Sequence, residues 1–167
     1  NTGESRKRIA NFVFIGAGGG ALPLLQKSGI EESNGYGGFP VSGQWLVCRE
    51  QNVVSRHNSK VYGKAPLGAP PMSVPHLDRR LINGEPALLF GPFAGFTTKF
   101  QKEGSFLDLF SSMRTGNFSS MFGAGMSNMD LARYLIGEVL QSPEERIDAL
   151  RSLCPRARHN NWTLQHA

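Results

Sequence analysis

Glycine, 20 of the 167 residues, is unevenly spread: Gly16, Gly18, Gly19 and Gly20 fall within five positions, and Gly35, Gly37 and Gly38 within four. A residue without a Cβ serves where the chain turns sharply or where another group comes close to the backbone. Such clusters break any long helix and punctuate the chain into short elements. Ten prolines add to this, four of them (Pro66, Pro70, Pro71, Pro75) between residues 63 and 75, where regular helix is excluded. The whole chain is 40% hydrophobic and 19% charged, enough to build one core and too polar for a membrane bundle. Cys48 and Cys154, the only cysteines, have no CxxC spacing and suit a reducing compartment, with a single bridge as the alternative.

Between these breaks the elements can be read. Residues 11 to 15, Asn-Phe-Val-Phe-Ile, have the composition of a buried strand. The glycine turn follows, then a helix from near Leu22 to Ser28 that Gly29 would stop. Val41 to Arg49 reads as a second strand, Asn52 as a cap for a short helix from Val53 to Ser59, and Lys60-Val61-Tyr62 as extended chain. His76 to Ile82 and Ala87 to Phe90 flank Asn83-Gly84, a pair that accepts the positive φ angles of a type I′ hairpin turn. Gly91-Pro92 would close the second arm. Beyond Thr97 the pattern turns helical. Ser105 can cap Phe106 to Met113, Ser127 with Asp130 can cap a helix to Gln141, and Ser142-Pro143-Glu144-Glu145 forms a capping box. Ile147, Leu150, Leu153 and Cys154 then make an apolar stripe, and the run from Trp162 to Ala167 is strand-like. Sheet and turns first, helices last: the fold class is α+β, with a mixed or antiparallel sheet, a C-terminal helical segment and one leading strand-turn-helix.

Several groupings could carry chemistry. Gly16-Ala17-Gly18-Gly19-Gly20-Ala21 satisfies G-x-G-x-x-G/A between a strand and a helix, which fits either a cofactor-facing turn or a tight structural one. Glu31 and Glu32 follow too soon to be the usual ribose-binding acid. In Pro75-His76-Leu77-Asp78-Arg79-Arg80, the two-residue period of a strand puts an imidazole, a carboxylate and a guanidinium on one side. His76 could act there as a general base toward an anion, or fill a hydrogen-bonded structural role. Gln44 and Lys64 each follow a glycine beside an extended run, where they could line a carboxylate pocket or ordinary surface. The net charge of +5 is compatible with nucleic acid, anionic lipid or an acidic substrate. The chain has no RNP, zinc-finger or helix-turn-helix pattern, which argues against nucleic acid. Its histidines lack HxxH or HxxE spacing, which argues against a metal site.

Five blocks resemble the malate:quinone oxidoreductases. They are Phe14-Ile15-Gly16-Ala17-Gly18-Gly19-Gly20-Ala21-Leu22-Pro23 through Ile30, Gly35-Tyr36-Gly37-Gly38-Phe39-Pro40 through Gln44, Lys60-Val61-Tyr62-Gly63-Lys64, Gly68-Ala69-Pro70-Pro71-Met72 through Asp78, and Leu89-Phe90-Gly91-Pro92-Phe93-Ala94. Members of that family are longer flavoproteins that oxidise malate to oxaloacetate and pass electrons through FAD to a membrane quinone. The resemblance implies an interior piece of such a protein, with residues 1–34 from the FAD-binding domain and 35–167 from the substrate-binding domain. It implies that Gly16, Ala17, Gly18 and Gly19 approach the flavin and that His76 takes the malate hydroxyl proton. Arg80, Lys64 and Gln44 would hold the carboxylates. Arg79 stands where the family pattern leads one to expect threonine, which makes Arg80 the better carboxylate contact. The parent would sit peripherally on the cytoplasmic face of a bacterial inner membrane. A non-catalytic cap that binds anions or a partner chain is the alternative reading, as is a related FAD-dependent 2-hydroxy-acid oxidase. Phe106, Leu107, Leu109, Phe110, Phe118, Met121, Phe122 and Met126 are either core or a membrane-facing patch, and the patch requires several of them exposed together.

Overall fold

In a computed structural model, which describes residues 3–65, 67 and 74–166, one sheet organises the chain. Its strands are β1 (Val41–Cys48), β2 (Val61–Tyr62), β3 (His76–Ile82), β4 (Glu85–Phe96) and β5 (Thr163–His166). They lie in the order β2-β3-β4-β1-β5, every pair antiparallel. The β3–β4 hairpin forms as its sequence dictates, with Asn83 at φ 54° and Gly84 at φ 85°. Its second arm does not stop at Gly91-Pro92. It runs on to Phe96, because β1 supplies pairing partners as far as Val41.

The two faces of the sheet differ. Leu46, Cys48, Leu77, Leu88, Phe90 and Phe93 turn to one face and pack with Val54, Ile147, Leu150 and Trp162. Each such buried side chain contributes roughly 1.5–3 kcal/mol, so this layer is the main core. Both thiols are free and belong to it, and burial pushes the Cys48 thiol above its ordinary pKa. The other face carries only a small cluster of Val47, Ala87 and Leu89, with Trp45 and Ile82 against it and no helical residue among them.

The helices are α1 (Ala21–Ser28), α2 (Gln51–Val54), α3 (Asp108–Ser112), α4 (Thr115–Ser127), α5 (Met129–Leu140) and α6 (Pro143–Arg151). Two ends follow local chemistry. Gly29 terminates α1 in the left-handed region, at φ 70°. At α6 the Ser142 hydroxyl accepts from the Glu145 amide while the Glu145 carboxylate accepts from the Ser142 amide, at 3.2 and 2.6 Å. Buried amides join α1, α3 and α4: Gln26 Nε2 and Asn117 Nδ2 both donate to the Ser112 carbonyl, each at 2.9 Å.

Other expectations are corrected. Residues 12 to 17 form no strand, and Phe12, Val13 and Phe14 are exposed. β-composition makes a strand only where a ladder is offered, and among the described residues none is offered there. α2 begins at Gln51 and ends at Val54, so Asn52 lies inside it and is not its cap. α3 starts at Asp108, two residues later than the sequence implies: residues 105–108 form a separate closed turn, in which the Asp108 amide donates to the Ser105 carbonyl and its carboxylate accepts from the Ser105 amide. Ser127 caps nothing: α4 claims it as its last residue, and Asn128 takes the position before α5. Pro66, Gly68, Pro70 and Pro71 lie outside the described residues. Of the eight apolar side chains from Phe106 to Met126 named above, only Leu109 and Met121 are buried, while Phe110, Phe118 and Phe122 are 60%, 56% and 63% exposed. No helix among the described residues is long and apolar enough to cross a membrane.

Candidate functional site

The face opposite the main core carries the imidazole, carboxylate and guanidinium of β3. Across it, register places Tyr62 opposite His76 and His76 opposite Gly91. β1 has an irregular register between Gln44 and Leu46, which frees Trp45 from pairing with a single β4 residue. Gly91 has no side chain, so the Trp45 ring reaches over it to His76. The two rings meet edge-on with centroids 5.1 Å apart, and Tyr62 lies 4.8 Å from the imidazole on the other side. His76 is thereby clamped between two aromatic rings across three strands. Its Nε2 is buried and has no hydrogen-bond partner among the described residues.

One row along, Asp78 is 8% exposed and accepts from Arg80 Nε at 2.7 Å. The same oxygen, Oδ2, stands 3.4 Å from Lys60 Nζ. Arg80 also lies over the Trp45 ring, 5.3 Å from its centroid, and Lys60 lies the same distance from the Tyr62 ring. Burial raises the Asp78 carboxyl, but the hydrogen bond from Arg80 and the Lys60 charge outweigh it, so its pKa falls below the ordinary value. Burial lowers the His76 pKa below the usual 6.5, and Lys60 and Arg80 add to this against the opposing charge of Asp78. A neutral imidazole beside two cations is chemically suited to accept a proton from an anionic ligand. Arg79, on the alternate side of the strand, donates to the Asn58 side chain instead.

The remaining expected site residues lie elsewhere. Gln44, Gly18 and Gly19 line a groove of about 1060 Å³ between the glycine turn, β1 and the segment from Gly95 to Phe106. Gln44 Nε2 lies 3.4 Å from His166 Nδ1, and its Oε1 is buried without a partner among the described residues. Gly16 and Ala17 are outside that lining, though adjacent to it in sequence. Lys64 is exposed beyond the end of β2, apart from the Asp78 cluster. The structure therefore brings His76 and Arg80 together on the open face, and Gln44 together with Gly18 and Gly19 in the groove. Reading β3 alone does not reveal Lys60, Tyr62 and Trp45 as neighbours of His76. The signal lay in cross-strand register, which the proline-rich connection hides.

The family model described as "Malate:quinone oxidoreductase (Mqo)" matches residues 1–167. A probable malate:quinone oxidoreductase of Hahella chejuensis is 64% identical over 165 residues, which are 99% of this chain and 33% of that protein. One from Methylobacillus flagellatus is 66% identical over 158 residues, 95% of this chain and 32% of that protein. A third, from Flavobacterium johnsoniae, is 58% identical over 167 residues, 100% of this chain and 34% of that protein. The chain thus spans about a third of the length of the curated relatives it matches. A match of this extent and identity leaves one conclusion: the chain belongs to the malate:quinone oxidoreductase family.

Proposed function

We propose that this chain carries the substrate-binding face of an enzyme that oxidises malate to oxaloacetate and delivers the electrons to a membrane quinone. The observation that carries the reading is His76 clamped between Tyr62 and Trp45, next to Arg80, on the sheet face opposite the main core. Oxidising a secondary alcohol removes a proton from oxygen and a hydride from carbon. His76 takes the proton, because its pKa is held below the usual value and it is unprotonated at neutral pH. Arg80 has its Nε committed to Asp78, which leaves its two terminal nitrogens to form the parallel pair of bonds that a carboxylate accepts.

FAD, which the family implies, fits the groove. Gly18, at φ 52°, has no atom within 4 Å of where a Cβ would stand, so the wall is open there. Phe39, Phe96, Phe100 and Phe106 make the lining aromatic, and Lys99 and Lys102 outweigh the one carboxylate there, Glu103, as a flat anionic cofactor requires. When bound, FAD supplies the hydride acceptor. Gly18 would approach it, while Gly19 packs against the Phe100 carbonyl, with residues 1–34 as part of the flavin domain and 35–167 as the substrate domain, where Gln44 would stay a carboxylate contact at the groove.

The experiment uses a full-length relative in which this chain replaces the matching third. Replacing Arg80 with Met should raise KM for malate roughly tenfold to hundredfold and change kcat far less, since a charge-assisted hydrogen bond contributes about 1.5–3 kcal/mol. An unchanged KM removes Arg80 from the substrate.

A quinone dissolves in lipid, so the enzyme must meet a bilayer, which in this reading is the cytoplasmic face of the inner membrane. Phe118, Phe122 and Met126 follow one another at four-residue spacing on α4, all exposed, with Phe110 exposed on α3. Arg114, exposed at the N-terminus of α4, adds positive charge to the same segment. Apolar side chains with nearby cations are the physical requirement for binding an anionic leaflet. The chain should sediment with vesicles containing anionic lipid, and changing Phe118 and Phe122 together to Ser should abolish this. Equal sedimentation of the variant excludes the α4 stripe as the contact.

A further inference from the structure

We infer that Lys60 is the second carboxylate-binding cation of this site and the residue that makes it prefer a dicarboxylate over a monocarboxylate 2-hydroxy acid. The inference rests on the malate reading above and extends it to a residue outside the motif around His76. Register puts Lys60 next in line after Val61↔Leu77 and Tyr62↔His76, hence opposite Asp78, on the same face as the imidazole. Its ammonium is 3.4 Å from Asp78 Oδ2, the same oxygen that Arg80 Nε approaches at 2.7 Å. One oxygen therefore holds two cations, and a single negative charge answers two positive ones.

That surplus of charge lies beside a desolvated imidazole and is accessible. The Lys60 and Arg80 side chains are 40% and 46% exposed, whereas the Asp78 side chain between them is only 12% exposed. Asp78 acts as a positioning residue: it fixes the spacing of the two cations, and with Tyr62 also bonded to the Lys60 ammonium it leaves the third N–H of Lys60 and the terminal nitrogens of Arg80 for a ligand. A ligand with one carboxylate satisfies Arg80 alone. A ligand with two, separated by the short carbon chain of a 2-hydroxy diacid, can satisfy both while its hydroxyl lies at His76. Lys64, exposed and past the end of β2, has no such anchor among the described residues.

The test compares L-malate with L-lactate in the FAD-loaded full-length relative carrying this chain, with and without Lys60→Met. Lys60→Met should raise KM for malate roughly tenfold to hundredfold and, compared at a pH well above the imidazole pKa of both proteins, lower kcat/KM for lactate far less, so that discrimination between the two collapses. Lys60→Arg should restore part of it. A parallel loss on both substrates means that Lys60 is only structural and overturns the inference. Wild-type enzyme that fails to oxidise malate overturns instead the functional reading beneath it. A second readout needs no turnover. In the chain itself, Lys60→Met removes a charge that lowers the His76 pKa, so the imidazole proton resonances should titrate at higher pH. An unmoved titration places Lys60 away from the imidazole and equally overturns the inference.

Discussion

Replacing His76 with Gln in the FAD-loaded, full-length context lowers kcat on malate by roughly 10²–10⁴-fold, the range expected when a general base is removed, and shifts KM much less. Gln keeps similar bulk between Tyr62 and Trp45 but cannot accept the hydroxyl proton. The rings that clamp position 76 remain, so Arg80 and the substrate carboxylate keep their places. The pH profile supplies a second signature. His76 must be neutral to act, so the wild-type rate falls as pH drops through its pKa. That pKa lies below 6.5 because burial and the Lys60 charge both disfavour the imidazolium. The acid limb should therefore begin below pH 6.5 and be absent from the His76→Gln variant. A variant with wild-type kcat removes His76 from the chemistry. A variant whose KM rises as much as kcat falls assigns His76 to binding.

The parts of this fold legible in sequence are those decided within a few residues. Asn83-Gly84 needs no tertiary help to turn, nor does the Ser142–Glu145 box or the Gly29 stop. Phe12–Ile15 has the right composition for a strand but no ladder among the described residues, and composition cannot report a missing neighbour. Ser127 illustrates the converse case: a serine three residues before an acid is a box only if no preceding helix reaches it, and α4 does. α4 itself is written in glycine, serine and exposed aromatics, a poor helix by propensity, and Asn117 and Met121 tie it down through contacts distant in sequence. The site divides along the same line. Period two within β3 puts His76, Asp78 and Arg80 on one face. Lys60, Tyr62 and Trp45 arrive from two other strands, and only pairing register brings them there.

Gly91 is the residue on which that convergence depends, and Gly91→Ala should damage the molecule and the site together. A Cβ there would stand 2.8 Å from the Gln44 carbonyl oxygen and 3.0 and 3.1 Å from two atoms of the Trp45 ring, on a backbone at φ 154°. The carbonyl belongs to β1, so it cannot retreat without pulling the β1–β4 ladder apart. The indole can retreat, but only by leaving the edge of His76 and the guanidinium of Arg80. Overpacking of this kind costs roughly 1–3 kcal/mol, and the unfavourable φ adds to it. Urea unfolding of Gly91→Ala should accordingly show a lower midpoint, and kcat/KM in the full-length context should fall even where the protein is fully folded. Gly84→Ala is the control. It sits at φ 85° with nothing within 4 Å of its missing Cβ, so it carries backbone strain without a clash. It should destabilise the hairpin by about 1 kcal/mol and leave activity of the folded fraction intact. If Gly91→Ala matches Gly84→Ala in activity, the Trp45–His76 contact has no part in holding the imidazole, and Tyr62 alone positions it.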